Sequence, residues 1–132
     1  MLFITDYTLE DYILESTWDS FPRRVQERAV VCSVDLVIAL LLGSKGKQHE
    51  VGSRLAGEIF RGGNVPIVGS KQHSSFIGAA VAMSHASNSF DIDDGHNMIR
   101  GHPGTSFVGG VLAAALEQGA TYREYLEALV VS

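Results

Sequence analysis

Titratable side chains are concentrated in one stretch of the chain, residues 85–104. Segments made largely of alanine, glycine, valine and serine flank this stretch on both sides. Carboxylates and imidazoles held at the junction of apolar helices can be desolvated and tuned towards neutral pH, where proton transfer works best. The stretch contains Asp91, Asp93, Asp94, His85, His96, His102 and Arg100. The pattern therefore predicts a site for acid–base chemistry.

Two other interpretations of this stretch remain open. In the first, the stretch is a solvated loop in which Asp91 ends a helix, Asp93 and Asp94 face water, and His102 packs. In the second, a catalytic metal is held by Asp91, Asp93, His96 and His102, since carboxylate and imidazole groups coordinate metal ions. A calcium loop of the EF-hand type is excluded, because its glycine comes one place early and His102 stands where a bidentate glutamate is required. A structural zinc site is excluded because the cysteines are missing.

Arg100 and the start of the following helix favour an anionic ligand. A guanidinium pairs with carboxylates through two parallel hydrogen bonds. The free N–H groups at the start of a helix after Pro103 also attract negative charge. A substrate that carries carboxylates fits both features.

The bulk composition indicates one globular domain over residues 1–132. The chain has 45% hydrophobic and 19% charged residues, and a formal net charge of −5. Its ten lysines and arginines are spread along the sequence, which argues against nucleic-acid binding. The single cysteine, Cys32, cannot form an intramolecular disulfide, and no secretory signal is visible. We therefore expect a cytoplasmic protein, without a membrane span, because the most apolar run (29–42) is shorter than the ~20 residues required.

The hydrophobic periodicity predicts an all-α fold of about six helices with short connections. Thr8 and Thr121 are capping residues for the first and last helices, and Pro22 precedes the second. The small residues of the fourth and fifth helices predict close contact between helix backbones. A short extended segment is predicted at 65–68. The predicted helices span 8–18, 23–42, 48–61, 74–90, 106–118 and 122–132.

Three segments of the sequence together form a recognisable pattern: Asn-Ser-Phe-Asp-Ile-Asp-Asp-Gly-His at 88–96, His-Pro-Gly at 102–104, and Glu-Gln-Gly-Ala-Thr-Tyr-Arg-Glu-Tyr-Leu at 117–126. They resemble the MmgE/PrpD family, which includes 2-methylcitrate dehydratase, cis-aconitate decarboxylase and iminodisuccinate epimerase. The long helix from Pro22 to Gly43 and the Gly-Gly, Val-Pro-Ile-Val and Gly-Ala-Ala-Val-Ala segments follow in the family's order. The resemblance covers nearly the whole chain.

The resemblance implies a metal-independent reaction without a cofactor, in which a proton is abstracted next to a carboxylate. Family members are longer, with a helical domain, a smaller α/β lid domain, and an active site between the two. This chain resembles only the front part of the helical domain, and its hydrophobic end at 131–132 suggests the same. By resemblance, Asp91 and His102 match active-site positions and are the expected catalytic residues.

The expected substrate-binding residues are Asp94, Gly95, His96 and Arg100. Gly95 stands where some family members carry a threonine that faces the site. Further histidines and lysines of the family's site come from later sequence, so this chain alone is expected to lack part of the site.

Two functional hypotheses follow. The first is a segment of a lyase or isomerase that acts on a small polycarboxylate such as methylcitrate or aconitate. The second is a truncated, catalytically incomplete helical module that self-associates or docks on a partner subunit through exposed apolar faces. Under either hypothesis we expect a homo-oligomer, such as a dimer.

Overall fold

The described part of the chain is a bundle of helices with one small β-ribbon. The structure, a computed structural model, describes residues 7–93, 95–98 and 100–132. Within these ranges lie six α-helices, one 3-10 helix and two short antiparallel strands. The helices are α1 (Leu9–Glu15), α2 (Arg23–Gly43), α3 (Lys47–Glu58), α4 (Phe76–Ser87), α5 (Pro103–Gln118) and α6 (Tyr122–Val131); the strands are β1 (Val65–Pro66) and β2 (His73–Ser74); the 3-10 helix is Trp18–Ser20. The all-α prediction is confirmed.

The first and last helices begin at the predicted threonines. The Thr8 hydroxyl accepts from the backbone N–H of Asp11, and the Asp11 carboxylate accepts in return from the hydroxyl and N–H of Thr8. Thr121 and Glu124 form the same capping box at α6. These hydrogen bonds hold the pKa of both carboxyls below the usual value, because they favour the ionised form.

Several predicted helix boundaries were wrong by three residues. Helix α4 ends at Ser87 instead of Phe90, because serine hydroxyls near its end bond back to its carbonyl oxygens. Ser87 donates to the Ser84 carbonyl, and Ser89 donates to the His85 carbonyl. Helix α5 begins at Pro103 instead of Ser106, with the proline in the first helical position. Helices α1 and α3 also end three residues earlier than predicted.

Helix α4 is the centre of the bundle and packs on α2, α3 and α5. A Cβ added to Gly43 of α2 would overlap the Ala86 carbonyl group of α4. A Cβ added to Gly109 of α5 would overlap the Ala80 carbonyl oxygen and the Ser84 side chain. The predicted backbone-to-backbone contacts are therefore confirmed. The main core around α4 consists of Leu40, Ala56, Val65, Ile67, Ala79, Ala82, Met83, Ala86 and Ala113.

A second, smaller core joins α2 to α6. Ala29 of α2 packs with Tyr125 and Leu126 of α6, and the partly buried Trp18 lies against them. Burial raises the pKa of the Tyr125 phenol, because it disfavours the charged form. These contacts hold the C-terminal helix on the bundle.

No single helix in the described ranges has the length and apolar character needed to cross a membrane. Helices α2 and α3 taken together reach the required length and composition, but the chain bends by 86° between them.

Two adjacent glycines of α5 provide a test of the close packing. We expect Gly109→Ala to lower the free energy of unfolding by about 1–3 kcal/mol, because its methyl group overlaps α4. Gly110→Ala has nothing within 4 Å of the added methyl group and should stabilise the helix by up to about 1 kcal/mol. Urea unfolding of both variants measures the difference. Equal stability of the two variants would contradict the packing described here.

Candidate active site

His102 lies between two carboxylates of very different exposure. Its Nε2 is 3.0 Å from Oδ1 of Asp91, whose side chain is 83% exposed. Its Nδ1 is 3.2 Å from Oδ2 of Asp93, whose side chain is fully buried. The second pair is within ion-pair distance but is not aligned as a hydrogen bond. One imidazole thus has a solvent-facing carboxylate on one nitrogen and an interior carboxylate on the other.

Thr105 holds the buried carboxylate in place. Its hydroxyl donates a short hydrogen bond to Oδ2 of Asp93, the same oxygen that lies near His102. The other carboxylate oxygen, Oδ1, is buried and has no hydrogen-bond partner among the described residues. The interpretation in which Asp93 faces water is therefore wrong. A buried carboxylate persists in a folded protein only when nearby groups compensate it, and here Thr105 and His102 provide that compensation.

The local backbone explains why these side chains meet. His102 is the residue before the first turn of α5, and Thr105 lies three positions later on that turn. Asp93 therefore sits over the first turn of α5. The segment between the helices carries two residues in the left-handed region, Asp91 (φ 55°) and Arg100 (φ 54°). Such conformations cost roughly 1–2 kcal/mol in residues other than glycine and recur at functional sites.

A tight turn shapes the outer wall of the site. The backbone N–H of His96 donates to the Gly101 carbonyl, and the N–H of Arg100 donates to the His96 carbonyl. The turn and His102 line an open pocket of about 340 Å³. Its lining includes Gly95, His96, Asn97, Arg100, Gly101 and His102. Three of the expected substrate-binding residues thus lie together beside His102.

The other predicted site residues differ in how far the structure supports their expected positions. His96 and Arg100 are exposed, and neither forms an ion pair with another described residue. Asp94 lies outside the described residues. A Cβ added to Gly95 would meet nothing within 4 Å, so the structure has room for a threonine at this position. Asp91 is beyond the end of α4, so the alternative in which it ends that helix finds no support.

The metal interpretation also has a geometric basis. Asp91, Asp93 and His102 each offer one ligand atom, and these atoms lie within 4.8 Å of one another. Carboxylate and imidazole ligands suit several divalent cations. The same three residues are therefore compatible with direct acid–base chemistry and with metal binding.

Sequence reasoning missed the roles of Asp93 and Thr105. The sequence does not single out Asp93 within the acid–base stretch, because three nearby aspartates cannot be ranked by burial from sequence. The spacing of His102, Pro103 and Thr105 is the sequence feature that could have indicated that Thr105 lies near His102. A proline in the first helical position places the residue two positions later on the first turn, beside the residue that precedes the helix.

The fold and the site together define a helical domain that presents an acid–base cluster at the start of one helix. Residues 7–132 match the MmgE/PrpD N-terminal domain. The chain therefore belongs to the MmgE/PrpD family. No curated protein and no solved structure matches it.

Thr105 tests the account of the buried carboxylate. We expect Thr105→Val to lower the free energy of unfolding by about 1–3 kcal/mol, because it keeps the shape but removes the donor to buried Asp93. Thr105→Ser retains a hydroxyl, so its free energy of unfolding should fall clearly less than that of Thr105→Val. Chemical denaturation of both variants at neutral pH measures the effect. A valine variant as stable as the serine variant would show that the hydrogen bond does not support Asp93.

Proposed function

We propose that this chain supplies part of the active site of a lyase or isomerase that acts on a small polycarboxylate. The observation that carries the proposal is the pair formed by Asp91 and His102, whose Oδ1 and Nε2 are 3.0 Å apart, with His102 lining an open pocket. Membership of the MmgE/PrpD family supports the same reaction class. Methylcitrate and aconitate are the substrates that we would test first.

The geometry suggests different functions for the two carboxylates beside the His102 imidazole. Nε2 faces the exposed Asp91 and is the nitrogen placed to exchange a proton with a ligand. Asp93 lies 3.2 Å from Nδ1 on the buried side of the ring and would limit rotation of the imidazole. His102 is therefore the proposed proton-transfer group, with Asp91 as its partner.

The reaction requires removal of a proton from the carbon next to a carboxylate. In a dehydratase, that proton and a hydroxyl group leave as water; in an isomerase, a proton returns to carbon on another face. Arg100 and His96 line the pocket and are the proposed contacts for the substrate carboxylates. Asp94 and Gly95 adjoin them in sequence and remain proposed contacts.

The direct test uses the longest natural polypeptide that contains this chain. We expect Asp91→Asn and His102→Gln each to lower kcat by about 10²–10⁴, the usual contribution of a positioned acid or base. Matched controls with the same chemical change are Asp35→Asn and His73→Gln, which are exposed and distant in sequence from the site. Unchanged turnover in both site variants would exclude the assigned roles.

A chelator separates the acid–base mechanism from the metal interpretation. We expect turnover to persist after prolonged incubation with a strong chelator. Activity that is lost with the chelator and restored by one divalent cation would assign Asp91, Asp93 and His102 as metal ligands instead.

An exposed apolar row on α2 favours a second role, self-association. Val31, Val34, Ile38 and Leu41 are 57%, 50%, 49% and 48% exposed. Their spacing of three, four and three residues places them along one side of the helix, as in a helix–helix seam. We propose that two copies of the chain pair through this face, in line with the expectation of a homo-oligomer.

Substitution within this row tests the pairing. We expect the chain to sediment as a dimer and Ile38→Glu to sediment as a monomer, because a charge within the seam would lose its hydration. Leu14→Glu on α1 is the control, since Leu14 is 75% exposed and lies on another helix. A monomeric wild-type chain at high micromolar concentration would exclude this role.

A further inference from the structure

A second polar pocket lies between the α2–α3 turn and the loop that joins β1 to β2. It has a volume of about 560 Å³ and shares no residue with the pocket beside His102. Gly69 in the β-ribbon loop has a φ of 82°, and a Cβ there would overlap the Ser44 side chain of the turn. The two loops are therefore in direct contact, and the pocket between them is a fixed part of the fold.

The start of α3 lines this pocket through Lys47, His49 and Glu50 and carries unpaired backbone donors. The residue before the helix is Gly46, which has no side chain to cap it. The first backbone bond of the helix runs from the Glu50 N–H to the Gly46 carbonyl. The N–H groups of Lys47, Gln48 and His49 consequently have no partner within the described part of the chain. Such groups, together with the helix dipole, bind oxyanions.

His49 gives an independent indication of a ligand. This residue lines the pocket and is only 5% exposed. Its Nε2 lies 3.5 Å from the Ser53 hydroxyl, whereas its buried Nδ1 has no hydrogen-bond partner among the described residues. An unsatisfied buried polar atom is costly, so a partner for it is expected. An oxyanion bound beside the ring would supply an acceptor for an N–H at Nδ1.

The charge around the pocket is positive although the chain is acidic overall. The sequence has only three lysines, and its net charge is −5. Lys45 and Lys47 line the pocket, and Lys71 lies in the loop whose Ser70 and Gln72 also line it. None of the three forms an ion pair with a described carboxylate. Glu50 is the one carboxylate in the lining, so the lysines outweigh it.

We propose that this pocket binds the phosphate group of a small phosphate monoester. A tetrahedral oxyanion can accept from several helix N–H groups at once while the lysines neutralise its charge. The Ser70 hydroxyl oxygen accepts from the Gln72 N–H, which leaves its own hydrogen available as a further donor. This site is not predictable from the sequence, because Lys71 is distant in sequence from the other two lysines. The proposal does not depend on the polycarboxylate chemistry proposed above.

An NMR titration of the 132-residue chain tests the proposal. The probes are inorganic phosphate and glycerol phosphate, at constant ionic strength set with chloride. We expect saturable shifts of the amide signals of Lys47, Gln48 and His49 and of the His49 ring. The double variant Lys45→Gln/Lys47→Gln should weaken binding at least tenfold. Arg54→Gln, an exposed α3 cation outside the pocket lining, is the control and should change affinity less than twofold.

The outcomes separate the possible ligands. Tighter binding of glycerol phosphate than of inorganic phosphate supports a monoester, and equal binding supports recognition of the phosphate group itself. Shifts that do not saturate, or that chloride reproduces, would overturn the proposal. So would stronger binding of citrate at the same amides, because the pocket would then be a carboxylate site. An unchanged amide spectrum elsewhere in the double variant shows that it is folded.

Discussion

Direct contact between the backbone of α4 and its neighbouring helices is the constraint on which the arrangement of the chain depends. Gly43, Gly52 and Gly109 lie where a side chain would meet or overlap α4. Close approach of this kind leaves little freedom for the helices to slide, because packed backbones, unlike long side chains, cannot adjust by changing rotamer. The position of α5 relative to α4 is therefore fixed, and so is the distance that the intervening loop must cross.

That fixed distance explains the form of the candidate site. The loop leaves α4 after Ser87 and must return at His102, directly before the first turn of α5. It includes a tight turn at 96–101 and two left-handed residues, Asp91 and Arg100. A loop with fixed ends can hold such conformations, since the helices on both sides resist its relaxation. The packing of small residues thus positions the side chains of the candidate site without contacting them.

The sequence predicted the helices well and the site only in part. Repeating apolar positions and the capping threonines at Thr8 and Thr121 depend on local interactions, which a sequence displays directly. The early end of α4 depends on serine hydroxyls that donate to carbonyl oxygens of the helix. Composition alone does not decide whether such serines continue a helix or end it. The burial of Asp93 is a tertiary property, because it arises where the loop folds over α5. For the same reason, the sequence does not predict the second polar pocket between the α2–α3 turn and the loop that joins β1 to β2.

The two carboxylates beside His102 differ in burial, so the two nitrogens of the ring differ in their access to a ligand. Asp93 is fully buried and is tied to Thr105, so a ligand cannot displace it from the Nδ1 side. Asp91 is exposed and belongs to a loop, so the Nε2 side of the ring is open to a ligand. An ion pair at such an exposed position contributes little to stability. The contact between Asp91 and His102 is therefore better explained by the proposed proton transfer at Nε2 than by a contribution to folding.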